Sequence, residues 1–243
     1  MRSPAIGLLT AACWVAAPPI ASAGVLFEDT FESGGVEAWA QTSQTLGEVS
    51  VSRLTARSGT YSLLSAVESA SGYTTRRAYV LQAYSTTSDA PARVFLKLHF
   101  RIPAGFTHGR PNETAVFAAL ARTAVGGLCN LGLSSSGGQL YLSSSRGGRG
   151  ATVLSRETWH GVELDYDADT GNTTVYLDGQ PEIAATGATL QAANEARIGW
   201  DTNTPNVSGP LFIDDVTVST ELIPFRAAEV YLRHASFFGH IGL

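Results

Sequence analysis

Three acidic residues recur at every second position near the middle of the chain. Glu163, Asp165 and Asp167 lie in the sequence GVELDYD, with apolar residues between them. Because successive side chains of a β-strand point to opposite faces, these three carboxylates share one face. A pair of carboxylates at such a site can act as general acid and nucleophile in glycoside hydrolysis. The same spacing also occurs on the solvated outer face of a half-buried strand, so a catalytic and a structural interpretation both stay open.

A second stretch with chemical potential, residues 93–101, alternates more cleanly than any other in the chain. Val94, Leu96, Leu98 and Phe100 are predicted to face inward, so the intervening residues face outward. The outward candidates for ligand binding are Phe95, Lys97, His99 and Arg101, with Arg77 and Tyr79 on another strand. We expect this ladder either to contact the carboxylates or hydroxyls of an acidic or neutral polysaccharide, or to pair with Glu163 and Asp165 across the sheet.

Aromatic residues at predicted outward positions suggest a platform for stacking on sugar rings. Besides Tyr79 and Phe95, these candidates are Phe117, Tyr141 and Tyr176. Exposed aromatic side chains on a sheet face mark binding surfaces, although a loop or the C-terminal tail can also cover them. Trp159 and Trp200 are predicted to pack in the core instead.

The elements that must position these side chains are short β-strands. Residues 157–179 form two alternating runs joined by the turn-forming sequence Asp-Ala-Asp-Thr-Gly-Asn, which predicts an antiparallel hairpin. About a dozen such strands with regular turns predict an all-β, two-sheet antiparallel jelly-roll sandwich over residues 24–219. The glycine-rich stretch 146–150 is predicted to be a flexible loop.

Both ends of the chain depart from this pattern. Residues 1–23 are predicted to be a signal peptide, with an Ala-Ser-Ala cleavage site before Gly24, and imply a secreted, periplasmic or cell-surface protein. A lipid on Cys13 is the alternative. Cleavage would leave Cys129 as a single buried thiol without a disulfide. Residues 220–243 form a tail of unassigned role, in which residues 227–234 are predicted to be a short amphipathic helix.

Composition excludes some partners. The net charge of −5 argues against nucleic acid as the main partner, because binding to the phosphate backbone needs a basic surface. The first 23 residues are too short and too interrupted by proline to span a membrane. Nothing in the sequence indicates the oligomeric state.

With these residues in view, residues 24–219 resemble the concanavalin A-like lectin/glucanase superfamily, especially its laminin G-like and carbohydrate-binding jelly-roll domains. The motifs that carry the resemblance are Trp159-His160-x-Val162-x-Leu164-x-Tyr166-Asp167, Val175-Tyr176-Leu177-Asp178-Gly179, Arg197-Ile198-Gly199 and Phe212-Ile213-Asp214-Asp215-Val216-x-Val218. The resemblance implies a jelly-roll fold that hosts lectins, glycosidases, lyases and adhesion modules. In lyases of this superfamily Arg, Lys or His neutralises a uronate carboxylate, and Tyr or His transfers a proton.

The resemblance also implies a structural Ca²⁺ ion. Asp214 shares its strand face with apolar residues, and a core-facing carboxylate is costly unless it is paired or bound to a metal. By resemblance, the ion would be held by Thr30, the Gly59 carbonyl and Asp214, with Glu28, Glu32 and Asp215 as further ligands. Oxygen ligands suit Ca²⁺. The alternative is that these acids are solvated or paired with arginine.

The sequence therefore predicts an exported, non-enzymatic glycan-binding or cell-envelope recognition module of the laminin G-like type. Two alternatives are a polysaccharide lyase or glycoside hydrolase of the same superfamily, and an adhesion or structural protein without a small-ligand site. A cleft with converging acid and base groups would favour the enzyme, whereas a shallow aromatic platform would favour the binding module.

Overall fold

A computed structural model describes residues 24–223. The predicted signal peptide and the tail beyond residue 223, including the predicted helix at 227–234, lie outside the described residues. Sixteen β-strands account for the regular structure. They are β1 (Val25–Asp29), β2 (Gln41–Thr45), β3 (Gly47–Ser52), β4 (Ser62–Val67), β5 (Arg76–Ala83), β6 (Arg93–Arg101), β7 (Thr107–His108), β8 (Thr114–Arg122), β9 (Gly126–Ser136), β10 (Gln139–Ser144), β11 (Gly148–Val153), β12 (Trp159–Asp167), β13 (Thr173–Leu177), β14 (Gln180–Ala185), β15 (Glu195–Thr202) and β16 (Val207–Ser219).

The strands form two antiparallel sheets that enclose one core, which confirms the predicted all-β jelly-roll sandwich. The nine-stranded sheet has the order β14-β13-β12-β6-β16-β4-β3, and β1 and β7 also pair with β16. The seven-stranded sheet has the order β11-β10-β9-β8-β15-β5-β2. Between residues 24 and 223 there is no helix, and hence none of the length and hydrophobicity needed to cross a membrane.

The alternation of β6 explains its central place in the nine-stranded sheet. Val94, Leu96, Leu98 and Phe100 are fully buried between the sheets, as predicted. On either side β6 pairs with β12 and β16, so that Glu163 lies opposite Lys97 and Thr217 lies opposite the same lysine on the other side. The predicted hairpin is confirmed as β12 and β13, which the turn at residues 168–172 connects.

Two glycine- and serine-rich segments are more ordered than the sequence indicates. The stretch 146–150, predicted to be a flexible loop, contributes its last three residues to β11, an edge strand of the seven-stranded sheet. Ser134, Ser135 and Ser136 likewise extend β9 before the turn at Gly137 and Gly138. Small polar residues are compatible with a strand when each neighbour supplies backbone hydrogen bonds, and this pairing overrides their weak intrinsic preference.

The predicted outward orientation of Phe117 is wrong. Phe117 is fully buried and contacts Phe100 and Trp200, with ring centroids 5.0 and 6.3 Å away respectively. The cause is a β-bulge between Val116 and Ala118, which shifts the register of β8 against β9. Because a bulge adds one residue to one strand, it reverses which positions face the core. Trp200 is also fully buried, as predicted.

Candidate functional site

The predicted ligand-binding residues divide between the two sheets. Phe95, Lys97, His99 and Arg101 lie on β6 and Tyr176 on β13, so these five belong to the nine-stranded sheet. Arg77, Tyr79 and Tyr141 belong to the seven-stranded sheet, on β5 and β10. The sequence-predicted platform is therefore two separate surfaces, and Phe117 belongs to neither.

The outer face of β6 is not an open platform. Phe95 is 4% exposed, and the Arg93 guanidinium lies 5.0 Å from the centre of its ring. His99 is 5% exposed, and its burial lowers its pKa to about 3. Arg101 forms an ion pair with Glu157 at 2.5 Å. The prediction that these side chains point away from the sandwich core holds, but their exposure was overestimated because β6 is a central strand with bulky neighbours on both sides.

The acidic stretch of β12 is also largely buried. Asp165 accepts two hydrogen bonds from the Arg93 guanidinium, at 2.9 and 2.7 Å, so its partner is an arginine of β6 outside the predicted basic ladder. Glu163 is 3% exposed, and burial raises its pKa to about 7, although the neighbouring Lys97 opposes the shift. The backbone amide of Ile223 also favours the ionised form of Glu163, which places the end of the described chain over this face. The predicted solvated outer face is thus wrong for both acids.

Asp214 is fully buried, but the prediction that it faces the core is wrong. It lies opposite His99 on the outer side of the nine-stranded sheet, whereas Leu211 and Ile213 of the same strand face the core, because a register shift after Asp214 reverses the alternation that Val216 and Val218 follow. One carboxylate oxygen accepts hydrogen bonds from the backbone amides of Arg57 and Ser58, at 2.7 and 3.2 Å, and the other accepts the amide of Asp215 at 2.8 Å. Burial and the nearby Asp215 raise the pKa of Asp214 to about 7. This carboxyl group therefore ties the turn at residues 57–58 to β16.

A β-bulge in β16 follows at the next residue, Asp215, whose carboxylate also lies beside residues 57–58. Its φ angle of 50° is left-handed, and the register against β6 shifts between Asp214 and Thr217. Asp215 accepts a hydrogen bond from Ser58 Oγ at 2.5 Å and lies 3.8 Å from Arg57 Nη1 and 3.5 Å from His99 Nδ1. We call the adjoining space the charged cavity, which measures about 320 Å³. It is lined by Glu28, Thr30, Arg57, Ser58, Lys97, His99, Asp215, Val216 and Thr217.

The segments proposed by resemblance to hold Ca²⁺ do meet here. Glu28 and Thr30 line the charged cavity, and Glu32 packs directly on Gly59, where a β-carbon would lie 2.4 Å from the Glu32 carboxyl carbon. Glu32 accepts the backbone amides of Thr60 and Tyr61. Within residues 24–223, however, no three His, Cys, Asp or Glu side chains converge as a metal-ligand group. An ion at this place would therefore depend on backbone or hydroxyl oxygens in addition to Asp214.

A Ser–His–Asp chain of contacts joins the β12–β13 hairpin to the preceding loop. His160 Nδ1 lies 3.0 Å from Asp178 Oδ2, and its Nε2 lies 3.2 Å from Ser155 Oγ. Nε2 also lies 3.1 Å from the carbonyl oxygen of Ser155. Because a carbonyl oxygen can only accept a hydrogen bond, Nε2 is the donor in this contact. Although burial acts in the opposite direction, the hydrogen bond and charge of Asp178 raise the pKa of His160. An imidazole that donates from both nitrogens ties the loop to the hairpin and is not a base toward Ser155.

The outer face of the seven-stranded sheet has a different character. At one side, Arg77 is exposed and pairs with Asp201 at 3.3 Å, and Tyr79 is 9% exposed with the Arg197 guanidinium 5.9 Å from its ring centre. At the other side, a cavity of about 450 Å³ opens between β8, β9, β10 and β11. We call it the serine cavity, and its lining residues are Asn112, Thr114, Ser134, Ser143, Ser144, Gly148 and Arg149.

Two segments form the walls of the serine cavity. The segment 110–112 is held against β9, because Ser135 Oγ donates to the Arg110 carbonyl at 3.2 Å and the Asn112 amide donates to the Ser135 carbonyl at 2.8 Å. The opposite wall is the β10–β11 hairpin, in which Ser143 pairs with Arg149. Its turn requires Gly148, whose φ angle of 79° is unfavourable for residues with a side chain.

The floor of the serine cavity carries an unsatisfied hydroxyl group. Thr114 Oγ1 and Ser143 Oγ share a hydrogen bond of 2.9 Å. Ser134 is only 2% exposed, yet its Oγ has no hydrogen-bond partner in the described part of the chain. Since buried polar atoms are nearly always hydrogen-bonded in native proteins, such an atom at the wall of a cavity indicates a place for a ligand or ordered water.

Arg149 and Tyr141 form the rim of the serine cavity. The Arg149 guanidinium lies 4.7 Å from the centre of the Tyr141 ring, and its Nη1 donates to Asn112 Oδ1 at 3.3 Å. Tyr141 is half-buried and Arg149 is exposed. Of the residues predicted from the sequence to bind ligand, only Tyr141 adjoins this cavity.

The sequence did not predict the remaining residues of the cavity, because most are small polar residues at the ends of strands or in the glycine- and serine-rich segments between them. A signal was present: the apolar alternation of Leu131 and Leu133 continues through Ser135, which places Gly132 and Ser134 together on the outer face. Strand pairing brings Ser134 together with Asn112 and Arg149, and the sequence around each residue does not show this pairing.

The sequence matches no protein-family model and no curated protein. Solved structures nevertheless share its fold. A carbohydrate esterase from the Shiga toxin-encoding bacteriophage phi24B superimposes with a TM-score of 0.56 at 15% identity, covering 82% of this chain and 99% of that one. Domain 4 of AbnA, an extracellular arabinanase from Geobacillus stearothermophilus solved with arabinotriose, gives 0.52 at 12% identity, covering 86% and 97%.

An alginate lyase from a Chlorella virus also matches, with a TM-score of 0.51 at 10% identity over 81% of this chain and all of that one. At these identities the likeness concerns the fold alone. The described residues therefore have a jelly-roll β-sandwich fold, as the sequence predicted.

Proposed function

We propose that this protein is an exported, non-enzymatic glycan-binding module of the laminin G-like type, and that the serine cavity is its binding site. The observation that carries the proposal is the buried Ser134 hydroxyl, which faces a polar cavity without a partner. Carbohydrates present dense hydroxyl groups that both donate and accept hydrogen bonds, which suits a wall of serine, threonine and asparagine. The half-buried ring of Tyr141 supplies an apolar surface beside it.

Two further observations support a glycan ligand. Arg149, Tyr141 and Asn112 hold one another in place, so little side-chain entropy remains to be lost on binding. The comparison structures include proteins named as a carbohydrate esterase and an arabinanase domain solved with arabinotriose. Carbohydrate recognition is therefore compatible with this fold, although the fold itself does not specify it.

The test is a titration of the mature protein against a panel of purified neutral and acidic oligosaccharides. We expect binding to at least one of them, and Tyr141→Leu and Ser134→Val should each weaken it about tenfold, since each removes one contact to the ligand. Tyr61→Leu is the matched control, because Tyr61 also carries an arginine, Arg53, 4.7 Å from its ring centre but lies next to β4 in the other sheet. Absence of binding to the whole panel would favour the adhesion or structural alternative.

A polysaccharide lyase or glycoside hydrolase is the second candidate, because Glu163 is a buried carboxyl group with a pKa raised to about 7 and an Oε1 atom without a hydrogen-bond partner among the described residues. A perturbed carboxyl group of this kind suits general acid–base catalysis. Release of reducing ends or unsaturated uronates from polysaccharides, abolished by Glu163→Gln, would establish this candidate in place of the binding module.

We also propose that Ca²⁺ stabilises the protein where β1, the turn at Gly59 and β16 meet. Asp214 would supply a carboxylate, and the Gly59 carbonyl and Thr30 would supply further oxygens. Ion at about a hundredfold over its dissociation constant would add roughly 2.7 kcal/mol to the free energy of unfolding. Chelation should then lower the melting temperature of the wild type but not of Asp214→Ala. If chelation leaves the melting temperature of the wild type unchanged, calcium does not stabilise the protein.

A further inference from the structure

Arg149 has no carboxylate partner among the described residues, although it lies at the rim of a cavity. Arg77, Arg93, Arg101 and Arg197 each form an ion pair with Asp or Glu. The contacts of Arg149 within residues 24–223 are instead to neutral groups, the Tyr141 ring and the Asn112 amide oxygen. Its guanidinium thus forms no ion pair with a described residue at the rim of the serine cavity.

The acids nearest in the chain to the cavity walls are engaged elsewhere. Glu113, between the lining residues Asn112 and Thr114, accepts the Tyr73 hydroxyl at 2.7 Å. Glu182 accepts the amide and hydroxyl of Thr152 at 2.7 and 2.8 Å. The cavity lining itself contains no Asp or Glu. The lining therefore holds one cationic side chain, Arg149, beside serine and threonine hydroxyl groups and no acidic side chain.

Resting on the proposed function, we propose that the serine cavity selects an anionic sugar residue, whose carboxylate or sulfate ester contacts Arg149 while its ring hydroxyls contact Ser134 and Ser143. A planar guanidinium presents parallel N–H groups that match the two oxygens of such an anion. Tyr141 and Asn112 fix the guanidinium before binding, so the anion meets a preformed partner. The ligand class is therefore an acidic polysaccharide.

The experiment uses pairs of ligands that differ only in charge. Tetramers of galacturonate, glucuronate and mannuronate are each titrated beside their carboxyl-reduced neutral counterparts, and a sulfated galactan tetrasaccharide beside its desulfated form. We expect at least one anionic member to bind ten- to a hundredfold more tightly than its neutral partner, the range given by one charge-assisted hydrogen-bond pair. The uronate and sulfate arms decide which anion is recognised.

Substitutions of Arg149 test whether its guanidinium causes the preference for anionic ligands. Arg149→Gln should make the affinities for the anionic and neutral members equal. Arg149→Lys should retain part of the preference, because lysine keeps the charge but not the planar geometry. Arg53→Gln is the control, since Arg53 is exposed and stacks on Tyr61 at the same 4.7 Å distance in the other sheet. The preference should also decrease as salt increases.

The outcomes separate this inference from the proposed function. Equal binding of charged and neutral partners, or a preference that survives Arg149→Gln, would overturn the anionic selection while leaving a glycan-binding module. If no oligosaccharide binds the wild type, both proposals fail together. If binding persists in Ser134→Val and Tyr141→Leu, the site lies elsewhere and the serine cavity is not the site of either proposal.

Discussion

The charged cavity and the serine cavity lie on different sheets of the same sandwich and satisfy their polar groups in opposite ways. Around the charged cavity, Asp215 contacts Ser58, Arg57 and His99, and the adjacent Asp214 accepts three backbone amides. In the serine cavity, the buried Ser134 hydroxyl has no hydrogen-bond partner and Arg149 has no carboxylate partner among the described residues. Polar groups that satisfy one another hold a fold together, whereas groups left unsatisfied at a cavity wall are available to a ligand.

The comparison also explains why a high density of charge is a poor guide to a binding site. The predicted ladder on β6 is rich in charge, yet Arg101 is paired with Glu157 and His99 is buried and uncharged near neutral pH. The serine cavity carries one cation and several hydroxyls, and it was inconspicuous in the sequence. A charged or polar group can bind a ligand only if it is accessible and is not already paired with another group of the protein.

The largest expected effect is on stability, at the charged cavity. Asp214→Ala should lower the free energy of unfolding by about 3 kcal/mol or more, because the amides of Arg57, Ser58 and Asp215 lose their acceptor and each unsatisfied buried donor costs about 1–3 kcal/mol. Urea unfolding at pH 6 measures this loss. At that pH, below the Asp214 pKa of about 7, the carboxyl group is mostly protonated, so the substitution does not also relieve the cost of a buried negative charge.

Asp201→Ala is the control for that measurement, since Asp201 forms a partly exposed pair with Arg77 that should contribute less than about 1 kcal/mol. If Asp214→Ala were no more destabilising than Asp201→Ala, the three amides would not depend on this carboxyl group, and the structural role assigned to the charged cavity would be lost.

The next effect concerns pH and the face beside β6. The pKa of Glu163 is raised from 4.5 in its ordinary state to about 7 in the folded protein. The folded state therefore binds the Glu163 proton more strongly than the unfolded state does. The stability that this protonation adds is fully present below pH 4.5 and is lost as the pH rises through about 7. Glu163→Gln should be more stable than the wild type at pH 8 by up to about 3 kcal/mol, with this advantage vanishing by pH 4.

Chemical unfolding of both proteins across that pH range provides the measurement, with a substitution at an exposed glutamate, Glu48→Gln, as the control. Parallel curves for the wild type and Glu163→Gln would show that Glu163 titrates normally. The enzyme alternative would then lose its main support as well.

The smallest effect separates two buried serines. Ser65 Oγ donates to the Ala78 carbonyl at 2.6 Å and accepts the Trp200 amide at 2.9 Å, whereas Ser134 Oγ has no partner among the described residues. Ser65→Ala should therefore cost about 2 kcal/mol, and Ser134→Ala less than about 0.5 kcal/mol. Thermal and urea unfolding compare them. A large loss in Ser134→Ala would mean that this hydroxyl stabilises the fold rather than awaiting a ligand.

Local regularity made much of the architecture predictable. The alternation in residues 93–101 and the turn-forming residues between Tyr166 and Thr173 predicted β6 and the β12–β13 hairpin with nearly their observed bounds. The same period of two predicted that Asp214 faces the core, which is wrong, because a bulge separates Asp214 from Val216 and leaves it opposite the outward-facing His99. Prediction failed where an added residue interrupted that period, as at the bulge that turns Phe117 inward.

By itself the sequence determined which side chains can share a strand face, because the two-residue period of a β-strand is set by backbone geometry within a few residues. Only the tertiary structure decided which outer faces are covered and which polar atoms are satisfied. Phe95 and His99 are buried because β12 and β16 flank them, and the serine cavity exists because four strands bring Asn112, Ser134 and Arg149 together. Burial and hydrogen-bond satisfaction depend on neighbours distant in the chain, and these properties distinguish the two cavities.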